Sequence, residues 1–124
     1  MSRWRHEAFE RLPGLRKQLQ REKTLFGFCH ALYDELVHAY ERKDEALIRD
    51  IYLFSTWCLE QPESSRAEDD LPTAISLCFF EHLPEREQIR RDLSRRLPHS
   101  LLVSMKEIFC YHGTPEQFQE IIQK

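Results

Sequence analysis

The chain has 124 residues, four cysteines and a formal net charge of −3, with 31% charged and 41% hydrophobic residues. This length supports a single helical domain over residues 1–124 around one hydrophobic core, and the composition excludes a disordered chain. No uncharged run exceeds that of residues 24–33, which is far short of the ~20 apolar residues of a membrane span, and no apolar run closely follows Arg3, Arg5 and Arg11. No membrane contact and no signal peptide are therefore expected, and the expected location is cytoplasmic.

Only three glycines are present and strand-like alternation is missing, so the reading is all-α. Residues 2–12 form a short helix with Trp4, Ala8, Phe9 and Leu12 on one side, interrupted at Leu12-Pro13-Gly14. Residues 16–41 carry the longest helical period, through Leu25, Phe28, Cys29, Leu32, Leu36 and Tyr40. Gly27 in its middle is expected to admit a close neighbour or to mark a kink. Arg42-Lys43 suits the negative end of that helix.

Residues 44–61 are the organising stretch. Leu47, Ile51, Phe54 and Cys58 form one stripe, and Ala46, Leu53 and Trp57 form a second on the far side. A helix apolar on most of its circumference is expected to be covered on at least two sides. Asp44 is its N-cap, and Pro62 stops it. The short turn from residue 43 to 44 makes a helical hairpin with the preceding helix.

Residues 62–70 read as a loop, with a capping-box pattern at Ser65 and Glu68 and a preferred cap at Asp70 ahead of Pro72. One helix is then expected over residues 71–83. Pro84 opens another, over residues 84–97, with Ile89, Leu93 and Leu97 inward and arginines outward. Residues 98–112 form a further helix, ended by Gly113, and Thr114-Pro115-Glu116-Gln117 starts the last. The total is six or seven helices in antiparallel hairpins, arranged as a short solenoid-like stack or an irregular bundle.

Charge is segregated. Residues 1–33 carry net +4, residues 34–87 net −9 and residues 88–124 net +2. Basic ends with interleaved aromatics are one route to nucleic acid, although Glu7, Glu10 and Glu22 dilute the first of them. No nucleophile elbow, phosphate loop or clustered metal-ligand spacing occurs, so no catalytic residue, metal site or cofactor is expected. Cys29, Cys58, Cys78 and Cys110 are too widely spaced for a zinc motif and read as reduced thiols acting as small apolar residues.

The candidate binding residues fall in two groups. Leu53 and Trp57 lie on the second strip of the central helix, where they are an interface anchor if that strip stays open and core if it does not. Asp70, Thr73, Leu77, Phe80 and Glu81 share one face if residues 71–83 are a single helix. The two carboxylates are then about 16 Å apart, too far to act jointly on one atom. His82 lies in line with Leu71, Ile75 and Cys78, where a core-edge histidine is the plain reading. Cys78 and His82 are four residues apart, but two ligands do not make a metal site.

Ala39-Tyr40, Ile51-Tyr52, Trp57-Cys58, Asp70, Thr73-Ala74 and Phe79-Phe80-Glu81-His82-Leu83 resemble a family of small, all-helical bacterial domains of unknown function, over residues 36–84. The resemblance implies a bacterial, soluble, helical protein, and by analogy with such families an immunity or accessory protein encoded beside a larger partner. It brings no activity and no cofactor. The expected function is a non-enzymatic module that contacts another protein or a second copy of itself. The alternative is a small-molecule-binding protein or enzyme with a cleft around Asp70, Glu81 and His82. Nucleic-acid binding through the basic ends ranks third.

Overall fold

The computed structural model describes residues 2–123. The described residues contain nine α-helices and three short 3-10 helices, with no strand among them. The chain divides into two compact units, Met1–Phe79 and Phe80–Lys124.

The first unit begins with α1, Arg3–Arg11, capped by Ser2, whose hydroxyl accepts from the Arg5 amide. A 3-10 turn at Pro13–Leu15 leads into the single-turn α2, Arg16–Leu19. The long helix expected from residue 16 is broken at residues 20–24 and resumes as α3, Leu25–Arg42. Gly27 accounts for the restart. Thr24 caps α3 by accepting from the Gly27 amide at 3.0 Å, and a Cβ on Gly27 would lie 2.9 Å from both Thr24 Oγ1 and Glu22 Oε1. The glycine therefore makes room for its own helix cap, and neither a neighbouring helix nor a kink is involved.

Helix α4, Glu45–Leu59, starts where the capping argument places it, with Asp44 accepting from the Leu47 amide at 3.2 Å. Lys43 joins α3 to α4 in the left-handed region, at φ 56°. The two helices pack on each other, with Phe28 edge-on to Phe54 and the Tyr40 and Tyr52 hydroxyls hydrogen-bonded at 3.0 Å. Helix α5, Leu71–Cys78, packs against both, so Phe28, Leu32, Leu36, Ile51, Phe54, Cys58, Ala74 and Ile75 are buried. Within α4, Ser55 returns its hydroxyl to the Ile51 and Tyr52 carbonyls, which is how a polar side chain can be fully buried there.

Coverage of α4 is narrower than its sequence suggests. Ala46 and Leu53 are exposed and Trp57 is half-buried, so the second apolar strip stays largely open. The connection over residues 62–70 is the expected loop, with one 3-10 turn at Ala67–Asp69. Ser65 and Glu68 make no capping box there; Glu68 is taken instead by the Arg66 guanidinium at 2.8 Å. Asp70 occupies the N-cap position of α5, but its side chain makes no cap hydrogen bond.

The second unit opens with the main departure from the sequence reading. The helix expected over residues 71–83 ends at Cys78, and Phe80–Glu85 forms a 3-10 helix that contains Pro84. Proline disfavours helical geometry in the residue before it. The tighter turn keeps Phe80, Leu83 and Pro84 buried, and a new helix cannot begin until α6, Glu87–Arg96. A second break at Met105 splits the helix expected over residues 98–112 into α7, His99–Ser104, and α8, Lys106–His112. The last helix, α9, Pro115–Ile122, has the expected capping box: Thr114 Oγ1 accepts from the Gln117 amide and Gln117 Oε1 accepts from the Thr114 amide, both at 3.1 Å. Helix α8 packs on the 3-10 turn and on α9, while α6 packs on the same turn and on α9.

Candidate functional site

The sequence-derived candidates separate between the units. Leu53, Trp57, Asp70, Thr73 and Leu77 belong to the first, and Phe80, Glu81 and His82 to the second. Because α5 ends at Cys78, Glu81 does not continue the face of Thr73 and Leu77, and the spacing calculated along one helix does not apply. Thr73 and Leu77 are exposed on α5, Leu77 at 47%. Phe80 is fully buried and offers no surface.

In the first unit, Leu53 is 54% exposed, and Trp57 lies one turn further along the same strip of α4. Trp57 stacks on Phe54 at 5.8 Å and carries the Arg11 guanidinium over its ring at 5.6 Å. Beside it runs an open groove of about 280 Å³ lined by the apolar Trp4, Trp57 and Leu71 and by the charged Arg3, Glu63 and Asp69. Asp70 is half-buried, and its Oδ1 makes no hydrogen bond among the described residues.

Several arginines of the basic ends are engaged within the molecule. In the first unit Arg5 donates to the Glu22 carbonyl and lies over Trp4 and Phe28, Arg11 pairs with Glu7, and Arg16 lies over Phe9. In the second unit Arg95 and Arg96 both meet Asp92 at 2.7 Å, Arg91 meets Glu87 at 2.6 Å, and Glu120 faces Arg90 and Arg91. A phosphate backbone would have to compete with these carboxylates and rings.

The second unit contains the closest grouping of reactive side chains. Glu81 and His82 come from the 3-10 turn, and His112 is the last residue of α8. Glu81 is buried, with its side chain 9% exposed, and its Oε1 lies 2.5 Å from His112 Nε2. The imidazoles of His82 and His112 stack with centroids 5.0 Å apart and planes 20° apart. His82 Nδ1 lies 2.8 Å from Glu85 Oε1. One ligand atom from each of Glu81, His82 and His112 falls within 4.8 Å of the other two.

Gly113 closes this arrangement. A Cβ there would meet the Phe109 carbonyl at 2.7 Å and Gln117 Oε1 at 2.9 Å, with Pro84 beyond at 3.8 Å. A side chain at this position would therefore displace the end of α8 that carries His112. His112 is the residue that sequence reasoning missed. It stands 31 positions after Glu81, and no local spacing connects the two.

Among the described residues no helix is long and apolar enough to cross a membrane. No protein-family model, no curated protein and no solved structure matches the chain.

Proposed function

We propose that the protein is a non-enzymatic helical module that binds another protein, or a second copy of itself, through the Leu53–Trp57 side of α4. The observation that carries this reading is the open apolar strip: Leu53 is 54% exposed on a helix whose opposite side is fully buried, and Trp57 beside it walls a groove with Trp4. Tryptophan is among the residues most enriched at the energetic centre of protein interfaces. Arg3, Glu63 and Asp69 add charges of both signs to the lining of the groove. The α3–α4 hairpin with α5 laid against it supports the stacked-hairpin form of the fold. The resemblance of residues 36–84 to small helical bacterial domains fits an accessory protein that acts beside a partner.

The test is affinity capture by the tagged full-length chain from nuclease-treated host extract, together with light scattering of the purified chain. Leu53→Asp and Leu53→Asp/Trp57→Ala are compared after their helix content is shown to be unchanged. A stoichiometric companion, or a doubled mass, that disappears in Leu53→Asp supports the reading. A companion held equally well by both variants, or a monomer recovered alone, overturns it.

A further inference from the structure

We propose that Glu81, His82 and His112 form a binding site for one divalent transition-metal ion of the zinc type. The three residues offer one carboxylate and two imidazoles, a set of oxygen and nitrogen ligands that zinc and related ions bind with metal–ligand distances of about 2.0–2.2 Å. Tetrahedral bonds of that length place ligand atoms about 3.4 Å apart. The observed atoms already lie within 4.8 Å of one another, and Glu81 Oε1 and His112 Nε2 are at 2.5 Å. Modest opening of that pair, with slight closure by His82, brings all three to bonding distance. The ion sits between Glu81 Oε1 and His112 Nε2 in place of their direct contact.

Three features separate this cluster from an ordinary surface ion pair. The first is the burial of Glu81: a carboxylate removed from water needs a strong partner, and the half-exposed His112 is the one that meets it among the described residues. The second is the stacking of His82 on His112. Two imidazolium charges at 5.0 Å would repel, whereas one ion serves both rings and the carboxylate together. The third is Glu85, whose carboxylate holds His82 Nδ1. An outer carboxylate on one ring nitrogen orients a ligating histidine and makes it a better ligand.

The site grades from buried to open. Side-chain exposure rises from 9% at Glu81 through 20% at His82 to 38% at His112, so an ion can enter from the His112 side. Three protein ligands leave a fourth position for water or for a donor atom from a bound molecule.

The experiment uses the full-length chain with any affinity tag removed, titrated with Zn²⁺ by calorimetry and with Co²⁺ by visible absorption. The expected result is one ion per chain, a cobalt spectrum with d–d bands and no sulfur-to-metal charge transfer, and a higher melting temperature with zinc. His112→Ala and Glu81→Gln each weaken binding by more than about tenfold, and Glu85→Gln by about tenfold, the loss typical of an outer-shell partner. His99→Ala and Cys110→Ser leave binding unchanged. His112 is exposed enough for its variant to remain folded, so the test holds even where Glu81→Gln does not. Absence of binding at equimolar zinc, binding retained in His112→Ala, or binding lost in Cys110→Ser overturns the proposal.

Discussion

The two units bury helical cores by different means. The first rests on α3 and α4, 18 and 15 residues long, whose caps are made by Thr24 and Asp44 and whose buried sides meet through aromatic rings. No α-helix of the second exceeds the 10 residues of α6. Its elements are joined by a proline-containing 3-10 turn, a break at Met105 and a glycine, and are tied by arginine–carboxylate pairs. Among these short, polar-tied elements a buried carboxylate meets two histidines. Long helices instead leave a strip of one face open, and that is where the apolar groove lies. Continuous surface and convergent chemistry are thus products of different local architectures.

The largest effect that tests this contrast should come from the first unit. Phe54 is fully buried, stacked on Trp57 and edge-on to Phe28. Phe54→Ala should cost about 3–5 kcal/mol of unfolding free energy, read from urea denaturation with far-UV circular dichroism. A loss well under that would show that the long-helix core is less interlocked than its ring contacts imply. In the second unit, Gly113→Ala should cost about 1–3 kcal/mol, because the new methyl meets a backbone carbonyl that must move. It should also weaken zinc binding, since His112 moves with the end of α8. Unchanged stability would mean that this corner yields freely.

The smallest effect concerns thiols. Burial pushes the Cys29 thiol well above its ordinary value of 9.0, helped by Cys78. Burial does the same for Cys58, with Cys29 adding to it and Arg11 opposing. A raised folded pKa means that the folded protein holds its proton where the unfolded chain releases it. The stabilisation is complete below pH 9 and declines above it, by about 1.4 kcal/mol per pH unit for each such thiol. Denaturation from pH 8 to 10 should show the decline setting in near pH 9 and approaching this slope at the upper end, and Cys29→Ala should reduce it by one thiol's share. Thiol reagents at neutral pH should reach Cys110, which is only half-buried, well before Cys29 or Cys58. Equal rates would show that the first unit opens as readily as the second.

Legibility in the sequence follows the same division. The α4 boundaries could be read because Asp44 and Pro62 act on their immediate neighbours, and the Thr114–Gln117 box because both of its hydrogen bonds span three residues. The all-helical class followed from periodicity and the scarcity of glycine. The break at Phe79 could not be read in this way. Residues 71–83 hold a good helical period, and only the packing of Phe80, Leu83 and Pro84 decides against it. Gly27 was misread because its neighbour is the cap of its own helix. The open strip of α4 was a conditional reading, since which apolar side of a doubly apolar helix is covered depends on elements elsewhere in the chain. Glu81 and His82 stood out as a carboxylate and a histidine side by side, but their grouping with His112 is a property of tertiary structure alone.

The hydroxyl pair of Tyr40 and Tyr52 bears on how the α3–α4 hairpin keeps a single alignment. Two helices faced with leucine, isoleucine and phenylalanine can slide past each other by a turn and still bury much the same area, so apolar contact alone separates neighbouring alignments weakly. A one-turn slide would part the two hydroxyls, and losing a buried hydrogen bond of this kind costs on the order of 1 kcal/mol. The pair adds little to the depth of the native minimum. Its effect is to raise the alternatives, so that α3 and α4 meet in one register.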